Sequence, residues 1–433
     1  MTNVQSLSPE VREDKYPLLG IIAALGLNFA APFISSLLPL VAFVICVVRI
    51  MRYDERVFAT DYSLLACVSL LFCTSGGMSL LIYLCLFADV WYFMRRGIKA
   101  EAAVVLMLVL LNYLLLRMQM SIDRFALCFG QLFLLRILLP RQDRHSAERT
   151  AKAFCIGMLL VSVYALVFRN TWQLQAIRGP EAPAFFGSTA IRFYGLFRDP
   201  NYYSLLLVTA LALLTKLKDS RCISWFLFLT GALLLIICGV LTYSKTFFLT
   251  LLLLVLIYLL WQFWNKRVFK GILMTLTILL LGGILLLSEG SPFAVVLTRL
   301  TNSVDLGDLT TGRSDVFMQY FRVITQSLGN VLVGVGLGQP GLGQDPHNLY
   351  LEIVYYVGLT GLVLMGVYYV ALIRAIDADL KQQNFIARYI VLFMVMVFHF
   401  TLHGMTTLTA YASFFMAALA MLIIPKEETP CQD

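Results

Sequence analysis

The chain has 433 residues, of which 60% are hydrophobic and 13% charged, with a mean hydropathy of +0.83 and a formal net charge of +8. Soluble domains are about half apolar and a quarter charged, so this composition excludes an ordinary soluble enzyme and predicts an integral membrane protein. The cysteines other than Cys431 lie in apolar segments, without the spacing of a disulfide framework or a zinc site.

Apolar segments follow one another along most of the chain. The first is predicted to be retained, because the polar residues before it do not form a signal-peptide n-region and no cleavage site follows Tyr16. The predicted fold class is therefore all-α, a polytopic membrane protein with about 12–14 transmembrane helices in a single membrane domain, 1–433. If there are 14 helices, the predicted spans are 17–31, 34–50, 61–75, 77–94, 98–116, 123–140, 152–168, 201–216, 222–241, 246–264, 270–288, 348–373, 386–403 and 406–424.

Basic residues in the short connections predict the orientation. With a cytoplasmic N-terminus, about two thirds of the 33 Lys and Arg residues fall on the inner side, as the positive-inside rule requires. The positive charge thus indicates topology, and no nucleic-acid partner is expected. Two long polar segments then share the outer face, a first extracytoplasmic loop at 169–200 and a large one at 289–347, and an even number of spans places the C-terminus in the cytoplasm.

Several outer basic residues oppose this topological bias. Arg192 and Arg198 bracket Gly195 in the first loop, and Lys245 lies in the turn Thr242-Tyr-Ser-Lys-Thr246 between two later spans. Loop charges or headgroup anchors would explain any one of them, because Arg and Lys commonly extend along membrane interfaces. Their location on one face favours a shared anion site. Outer aromatic residues, which would either stack on sugars or anchor the interface, are Trp172, Phe185, Phe186, Phe193 and Tyr194.

The large loop supplies two further candidates. Arg313 precedes Ser314-Asp315 at a predicted helix start, where a guanidinium and free backbone N–H groups would together bind an anion. The next residues are apolar at helical spacing, so this helix should lie on the membrane surface or against the bundle. His347 precedes a span and is suited to accept a proton from a hydroxyl at neutral pH, although a structural histidine at a helix entry is the alternative. Glu352, five residues later, would either orient the ring or lie deeper behind it.

Two motif-like patterns are set aside. The segment Gly336-Leu-Gly-Gln-Pro-Gly341 fits G-x-G-x-x-G, but Pro340 breaks the turn and a span follows, so a dinucleotide site is not favoured. His399 and His403 have i, i+4 spacing without a neighbouring carboxylate or thiolate, which does not favour a metal pair. The outer loops contain no Asp-x-Asp or carboxylate cluster. The sequence predicts no metal and no cofactor.

Taken in order, these motifs resemble those of the O-antigen polymerase and O-antigen ligase superfamily, and the resemblance extends from about residue 192 to residue 361. Lys245 departs from it, since an arginine is usual there and lysine offers only a point charge without bidentate geometry. The matching segments are Arg192-x-x-Gly195 with Asp199-Pro200-Asn201, Thr242-Tyr-Ser-Lys-Thr246, Thr311-Gly312-Arg313, the Gly-rich segment, and His347-Asn348 with Gly358 and Gly361.

The resemblance implies a metal-independent glycosyltransferase at the outer face of the bacterial plasma membrane, using a glycan carried on undecaprenyl diphosphate and no cofactor. It implies that Arg192 and Arg313 hold the diphosphate and that His347 acts on the acceptor, these three being the catalytic candidates. The lipid bilayer is the expected environment, and a flippase and a chain-length regulator are the expected protein partners. The substrate-binding candidates are Lys245, Arg198, Asn201, Asn348 and Glu352.

The favoured hypothesis is a polymerase of O-antigen, capsule or exopolysaccharide repeat units, which transfers the growing glycan onto a sugar hydroxyl of the next repeat unit. A ligase that moves the finished glycan to lipid A-core or protein shares the donor and its arginines, so the sequence leaves both open. A transporter of lipid-linked sugars is less favoured, because it would need charges near the bilayer midplane and repeated halves.

Overall fold

The computed structural model describes residues 37–53, 55–67, 80–97, 144–184, 189–197, 199–219, 221–264, 294–298, 313–336 and 348–377, with single positions 269, 272, 276, 301, 342 and 346. Regular structure within these residues is helical apart from one isolated antiparallel bridge between Pro183 and Ile191, which confirms the all-α prediction for this part of the chain. The predicted spans 17–31, 98–116, 123–140, 386–403 and 406–424 lie outside the described residues.

Six of the predicted spans match observed helices closely, whereas the helix Glu55–Ala66 begins about two turns before the predicted span 61–75. Spans 34–50, 77–94, 201–216, 222–241, 246–264 and 348–373 agree with helices to within about one turn at each end, since long apolar segments determine both. The helices are α1 (Leu37–Arg52), α2 (Glu55–Ala66), α3 (Leu80–Arg96), α4 (Arg144–Val167), α5 (Trp172–Arg178), α6 (Pro200–Asp219), α7 (Trp225–Leu241), α8 (Lys245–Trp264), α9 (Arg313–Thr325), α10 (Leu328–Val333) and α11 (Leu349–Asp377).

Helix α4 is central to the first part of the fold. It packs against α2, α6 and α7, while α6 also contacts α7 and α8. It begins at Arg144, about two turns before the predicted start of its span, and an i, i+4 ion pair between Glu148 and Lys152 (2.6 Å) lies in this added region. One helix among the described residues, Glu148–Val167, is long and apolar enough to cross a membrane, and Trp225–Leu241 and Tyr350–Leu364 are apolar but shorter.

A buried ion pair joins α1 to α2. Arg49 donates from Nε to Oδ2 of Asp61 at 2.5 Å and from Nη2 to Oδ1 at 3.3 Å. The two contacts give the pair bidentate geometry, and water screens it little, because Asp61 is buried and the side chain of Arg49 is only 11% exposed. The positive-inside pattern assigns no such role to Arg49, which the fold uses to hold two helices together.

Helix α11 is interrupted at Gly358, which has φ 72° and ψ −176°. The interruption leaves carbonyls at the end of segment 349–357 without partners in the helix. The N–H groups of Val335 and Gly336 donate to the carbonyls of Tyr355 and Tyr356 at 2.8 and 3.0 Å, respectively. The extended segment after α10 thus replaces the missing helical bonds, as buried carbonyls at a helix break require.

Helices α9 and α10 pack on the same half of α11. Tyr320 of α9 is buried edge-on against Tyr355 of α11, with ring centroids 4.8 Å apart, and Ile324 is buried on the same face. Met318 and Phe321 remain exposed. This agrees with the predicted amphipathic helix after Arg313 and places its apolar side against a helix of the bundle.

Candidate functional site

The segment between α5 and α6 and the turn between α7 and α8 meet at the start of α6. The N–H of Phe193 donates to the carbonyl of Leu241 at 2.9 Å, which joins the loop to the end of α7. On the α6 side, Ser204 Oγ lies 3.0 Å from Oγ1 of Thr242. Two motifs about fifty residues apart in sequence are therefore in direct contact.

Local capping explains how Asp199-Pro200-Asn201 begins α6. Pro200 is the first helical residue, where its missing N–H is not needed, and Oδ1 of Asp199 accepts the N–H of Asn201 at 2.6 Å. The side chain of Asn201 consequently projects from the first turn toward the turn between α7 and α8, where it contacts Ser244.

Arg192 is bound at this meeting point by two hydrogen bonds. Its Nε donates to the carbonyl of Thr242 at 3.1 Å, and its Nη2 donates to Oδ1 of Asn201 at 3.2 Å. The same amide oxygen accepts a hydrogen bond from the hydroxyl of Ser244 at 2.7 Å. Arg192, Asn201 and Ser244, which come from three separate segments, thus form one connected polar cluster, called here the Arg192 cluster.

The turn before α8 is shaped by its own side chains. Tyr243 has φ 48°, the hydroxyl of Thr242 donates to the carbonyl of Gly239 at 2.6 Å, and the N–H of Ser244 donates back to Oγ1 of Thr242 at 3.2 Å. The hydroxyl oxygen of Ser244 also accepts the N–H of Phe247 at 3.4 Å, in the manner of an N-cap. Lys245 is the first residue of α8, so its charge adds to the positive end of the helix dipole.

Gly195 allows the loop to turn over the ring of Tyr203. It has φ 59°, and a Cβ atom there would lie 2.7 Å from Cε2 of Tyr203. Tyr203 is fully buried, packs against the rings of Phe193 and Phe197, and is hydrogen-bonded to Ser162 of α4 at 2.8 Å. The R-x-x-G spacing therefore places Arg192 at the cluster while Gly195 passes over a rigid aromatic ring.

Two of the aromatic residues considered for sugar stacking are core residues. Phe193 and Tyr194 are buried, and the hydroxyl of Tyr194 accepts the N–H of Ala182 at 3.2 Å. The sugar-stacking interpretation is therefore wrong for these two, because their ring faces pack inside the protein. Trp172 is exposed, and Phe185 and Phe186 lie outside the described residues.

Gly195→Ala is expected to destabilise the protein more than Gly179→Ala. Both glycines have positive φ, 59° and 85°, so alanine adds backbone strain of about 1–3 kcal/mol at either position. Only Gly195 has a ring against its missing Cβ, which adds about 1–3 kcal/mol of overpacking, whereas nothing lies within 4 Å at Gly179. Thermal unfolding of the two variants in detergent measures the difference. Equal unfolding midpoints would show that the Tyr203 ring moves aside without a loss of stability.

The other candidates lie around α9 and the start of α11. Helix α9 begins at Arg313, as predicted, and the arginine side chain lies outside what the structure describes, as do all of Arg198 and His347. Oδ1 of Asn348 caps α11 by accepting the N–H of Leu351 at 3.0 Å, and Glu352 is fully buried one turn later. The proposed contact between Glu352 and His347 stays a prediction, as does the meeting of Arg313 with the Arg192 cluster.

The sequence did not indicate an ion cluster that Arg169, Arg178 and Glu181 form, called here the ion cluster. Glu181 pairs with Arg178 at 2.5 Å and with Arg169 at 2.9 Å. Burial lowers the pKa of Arg178 from its usual value, and the carboxylate of Glu181 opposes that shift. A signal was present, because an acid three residues after an outer arginine is a candidate counter-ion, but the sequence places Arg169 too far away to suggest a triad.

The corner around the Arg192 cluster is suited to an anion. Arg192, Lys245 and the N-terminal end of α8 bring positive charge and positive dipole to one place, while Asn201 and Ser244 add polar groups. Within the described residues, no group of three or more His, Cys, Asp or Glu side chains is arranged to hold a metal ion. No family model, no curated protein and no solved structure matches this chain.

Proposed function

We propose that this protein is a polytopic membrane glycosyltransferase that polymerises oligosaccharide repeat units carried on undecaprenyl diphosphate. It acts at the outer face of the bacterial plasma membrane, with both termini in the cytoplasm, and transfers the growing glycan onto a sugar hydroxyl of the next repeat unit. The observation that supports this most is the Arg192 cluster, where Arg192, Asn201 and Ser244 from three motif segments are in contact. A flippase would supply its substrate, and a chain-length regulator would act with it.

The cluster fits the charge that such a reaction develops. A new bond forms between an acceptor hydroxyl oxygen and the anomeric carbon, while the bond from that carbon to the diphosphate oxygen breaks. Negative charge then grows on the departing undecaprenyl diphosphate, where Arg192, Arg313 and Lys245 would stabilise it. His347 would take the acceptor proton and later release it to solvent or to the leaving diphosphate. The step needs neither a metal nor a cofactor.

Exposed apolar surfaces on the helices support a bilayer environment. On α8, Leu249, Leu252 and Leu256 are exposed at helical spacing, and α7 exposes Leu229 and Leu233 in the same way. Water would make continuous apolar surfaces of this kind unfavourable, whereas lipid tails cover them without penalty. Several helices of the chain, rather than a single anchor, would therefore contact lipid.

A carrier of lipid-linked sugars is the second candidate, because α11 is interrupted at Gly358 and broken helices are typical of transporters. In such carriers, carbonyls at the break coordinate the transported ion or substrate. Here, the carbonyls of Tyr355 and Tyr356 accept hydrogen bonds from Val335 and Gly336. The break is thus closed by the protein itself, which favours the polymerase.

Reconstitution with undecaprenyl-diphosphate-linked repeat units and no other acceptor tests the proposal. We expect a ladder of lipid-linked chains, with the same rate in the presence of a chelator, separated by gel electrophoresis and detected by a label on the sugar. Products that form only with lipid A-core or a protein acceptor would instead identify a ligase. Movement of intact donor across the bilayer without bond formation would identify a carrier.

A further inference from the structure

Glu181 lies at the centre of the ion cluster beside the candidate site. Its Oε1 atom pairs with Nη1 of Arg178 at 2.5 Å, and its Oε2 atom accepts a hydrogen bond from Nε of Arg169 at 2.9 Å. The side chains of Arg178, Glu181 and Arg169 are 1%, 8% and 24% exposed, respectively. Because Arg178 and Glu181 are buried and Arg169 is only partly exposed, water screens these charges weakly, and one carboxylate is the counter-ion of both guanidiniums.

The two guanidiniums hold the backbone on either side of Arg192. Nη2 of Arg169 donates to the carbonyl of Ile191 at 2.8 Å, and Nη1 of Arg178 donates to the carbonyl of Gly195 at 3.2 Å. Nη2 of Arg178 also donates to the carbonyl of Arg169 at 2.9 Å, which ties the two arginines to each other. The five-residue segment that carries Arg192 is thus attached to the ion cluster at both of its ends.

Backbone contacts next to Glu181 continue this attachment. The N–H of Arg192 donates to the carbonyl of Ala182 at 3.0 Å, and the N–H of Tyr194 donates to Oε1 of Glu181 at 3.4 Å. The N–H of Phe193, between them, donates to Leu241 at the end of α7. Loss of the ion cluster would therefore loosen the segment that carries Arg192 on the side of Glu181. The hydrogen bond from Phe193 to α7 would remain.

We propose that Glu181 is a positioning residue, which orients Arg169 and Arg178 so that their hold on Ile191 and Gly195 sets the guanidinium of Arg192 against Asn201. The inference rests on the proposed function, because a change in the position of Arg192 alters the transfer rate only if Arg192 binds the donor diphosphate. Each carboxylate oxygen of Glu181 already pairs with a guanidinium, so Glu181 acts through Arg192 and does not touch the substrate.

Hydrogen exchange tests, without any substrate, whether Glu181 holds the segment around Arg192 in place. Glu181→Gln keeps the size of the side chain but leaves the buried guanidinium of Arg178 and the partly exposed guanidinium of Arg169 without their counter-ion. Exchange in the peptide covering 189–197 should rise about tenfold or more, while peptides from α6 and α7 keep their wild-type rates. The matched control is Glu148→Gln, which removes the partner of the more exposed Lys152 on α4 and should leave 189–197 unchanged. An unchanged rate at 189–197 in Glu181→Gln, or an equal rise across α6 and α7, would overturn the proposal.

The transfer assay tests whether the position that Glu181 gives to Arg192 matters for glycan transfer. Glu181→Gln should lower kcat about tenfold or more with little change in the acceptor KM, and Glu181→Asp should recover part of the rate by restoring the charge. Added to Arg192→Lys, Glu181→Gln should have little further effect, because both changes act through one guanidinium. Equal kcat values for Glu181→Gln and Glu148→Gln would overturn the positioning role. If the wild-type protein transfers no glycan, the proposed function fails, and hydrogen exchange alone decides whether Glu181 anchors the loop.

Discussion

Alanine in place of Arg192 is expected to slow glycan transfer in proteoliposomes by about 10²–10³-fold, the loss usual when one preorganised donor to a developing oxyanion is removed. Arg192 is already oriented by Thr242 and Asn201, so the wild-type protein would meet the diphosphate without reorganising this side chain. The initial rate of chain growth at saturating donor measures the effect. Because the arginine is half-buried and Oδ1 of Asn201 keeps its hydrogen bond from Ser244 when Arg192 is removed, the variant should still fold.

Two further variants separate the role of Arg192 from a general loss of positive charge. Arg192→Lys keeps the charge but loses the fork of donors, so it should transfer glycan at an intermediate rate. Arg322→Ala removes an exposed arginine of α9 and should match the wild-type rate. Comparable rates for Arg192→Ala and Arg322→Ala, at equal amounts of folded protein, would remove Arg192 from the mechanism and with it the main support for the proposed function.

Gly358→Ala is expected to destabilise the protein by about 2–6 kcal/mol, adding the strain of a glycine-only backbone conformation to that of overpacking. A Cβ atom at Gly358 would overlap the carbonyl of Leu332, which is backbone and cannot rotate away. The overlap would push apart α11 and the segment that supplies the N–H groups of Val335 and Gly336. Unfolding in detergent, followed by circular dichroism against temperature or denaturant, measures the loss.

The same helix offers a matched control for this change. Gly366 has nothing within 4 Å of its missing Cβ and no positive φ, so Gly366→Ala should be neutral or stabilise by up to about 1 kcal/mol. Gly334→Ala should behave like Gly358→Ala, because its Cβ would overlap the backbone of Tyr356 across the same contact. If Gly358→Ala proved as stable as Gly366→Ala, α11 would have to be continuous through residue 358.

Local features of the sequence located most of the long helices, but they missed α5 and α10 and placed the starts of α2 and α4 about two turns too late. Apolar segments marked α6, α7 and α8 to within about a turn. The start of α9 at Arg313 and its amphipathic character followed from the spacing of a few residues. Such features are predictable because they depend on neighbours within one or two turns of the chain.

The site was predictable only in part. The sequence named Arg192, Asn201 and Lys245 as candidates, and the fold places the first two in contact and the third at the adjoining helix start. It did not indicate Ser244 as the shared partner of Asn201 or Glu181 as the counter-ion behind the loop. Each of these contacts joins segments whose approach depends on how whole helices pack.

By itself, the sequence determined that the described residues form helices, where most of the long helices lie, and which residue types are available for binding an anion. Only the tertiary structure decided that Arg192 meets Asn201, that Arg49 pairs with Asp61, and that Val335 and Gly336 close the break in α11 at Gly358. The physical reason is distance along the chain. Periodicity and capping act between near neighbours, whereas these contacts form only after packing has brought together residues that no local preference links.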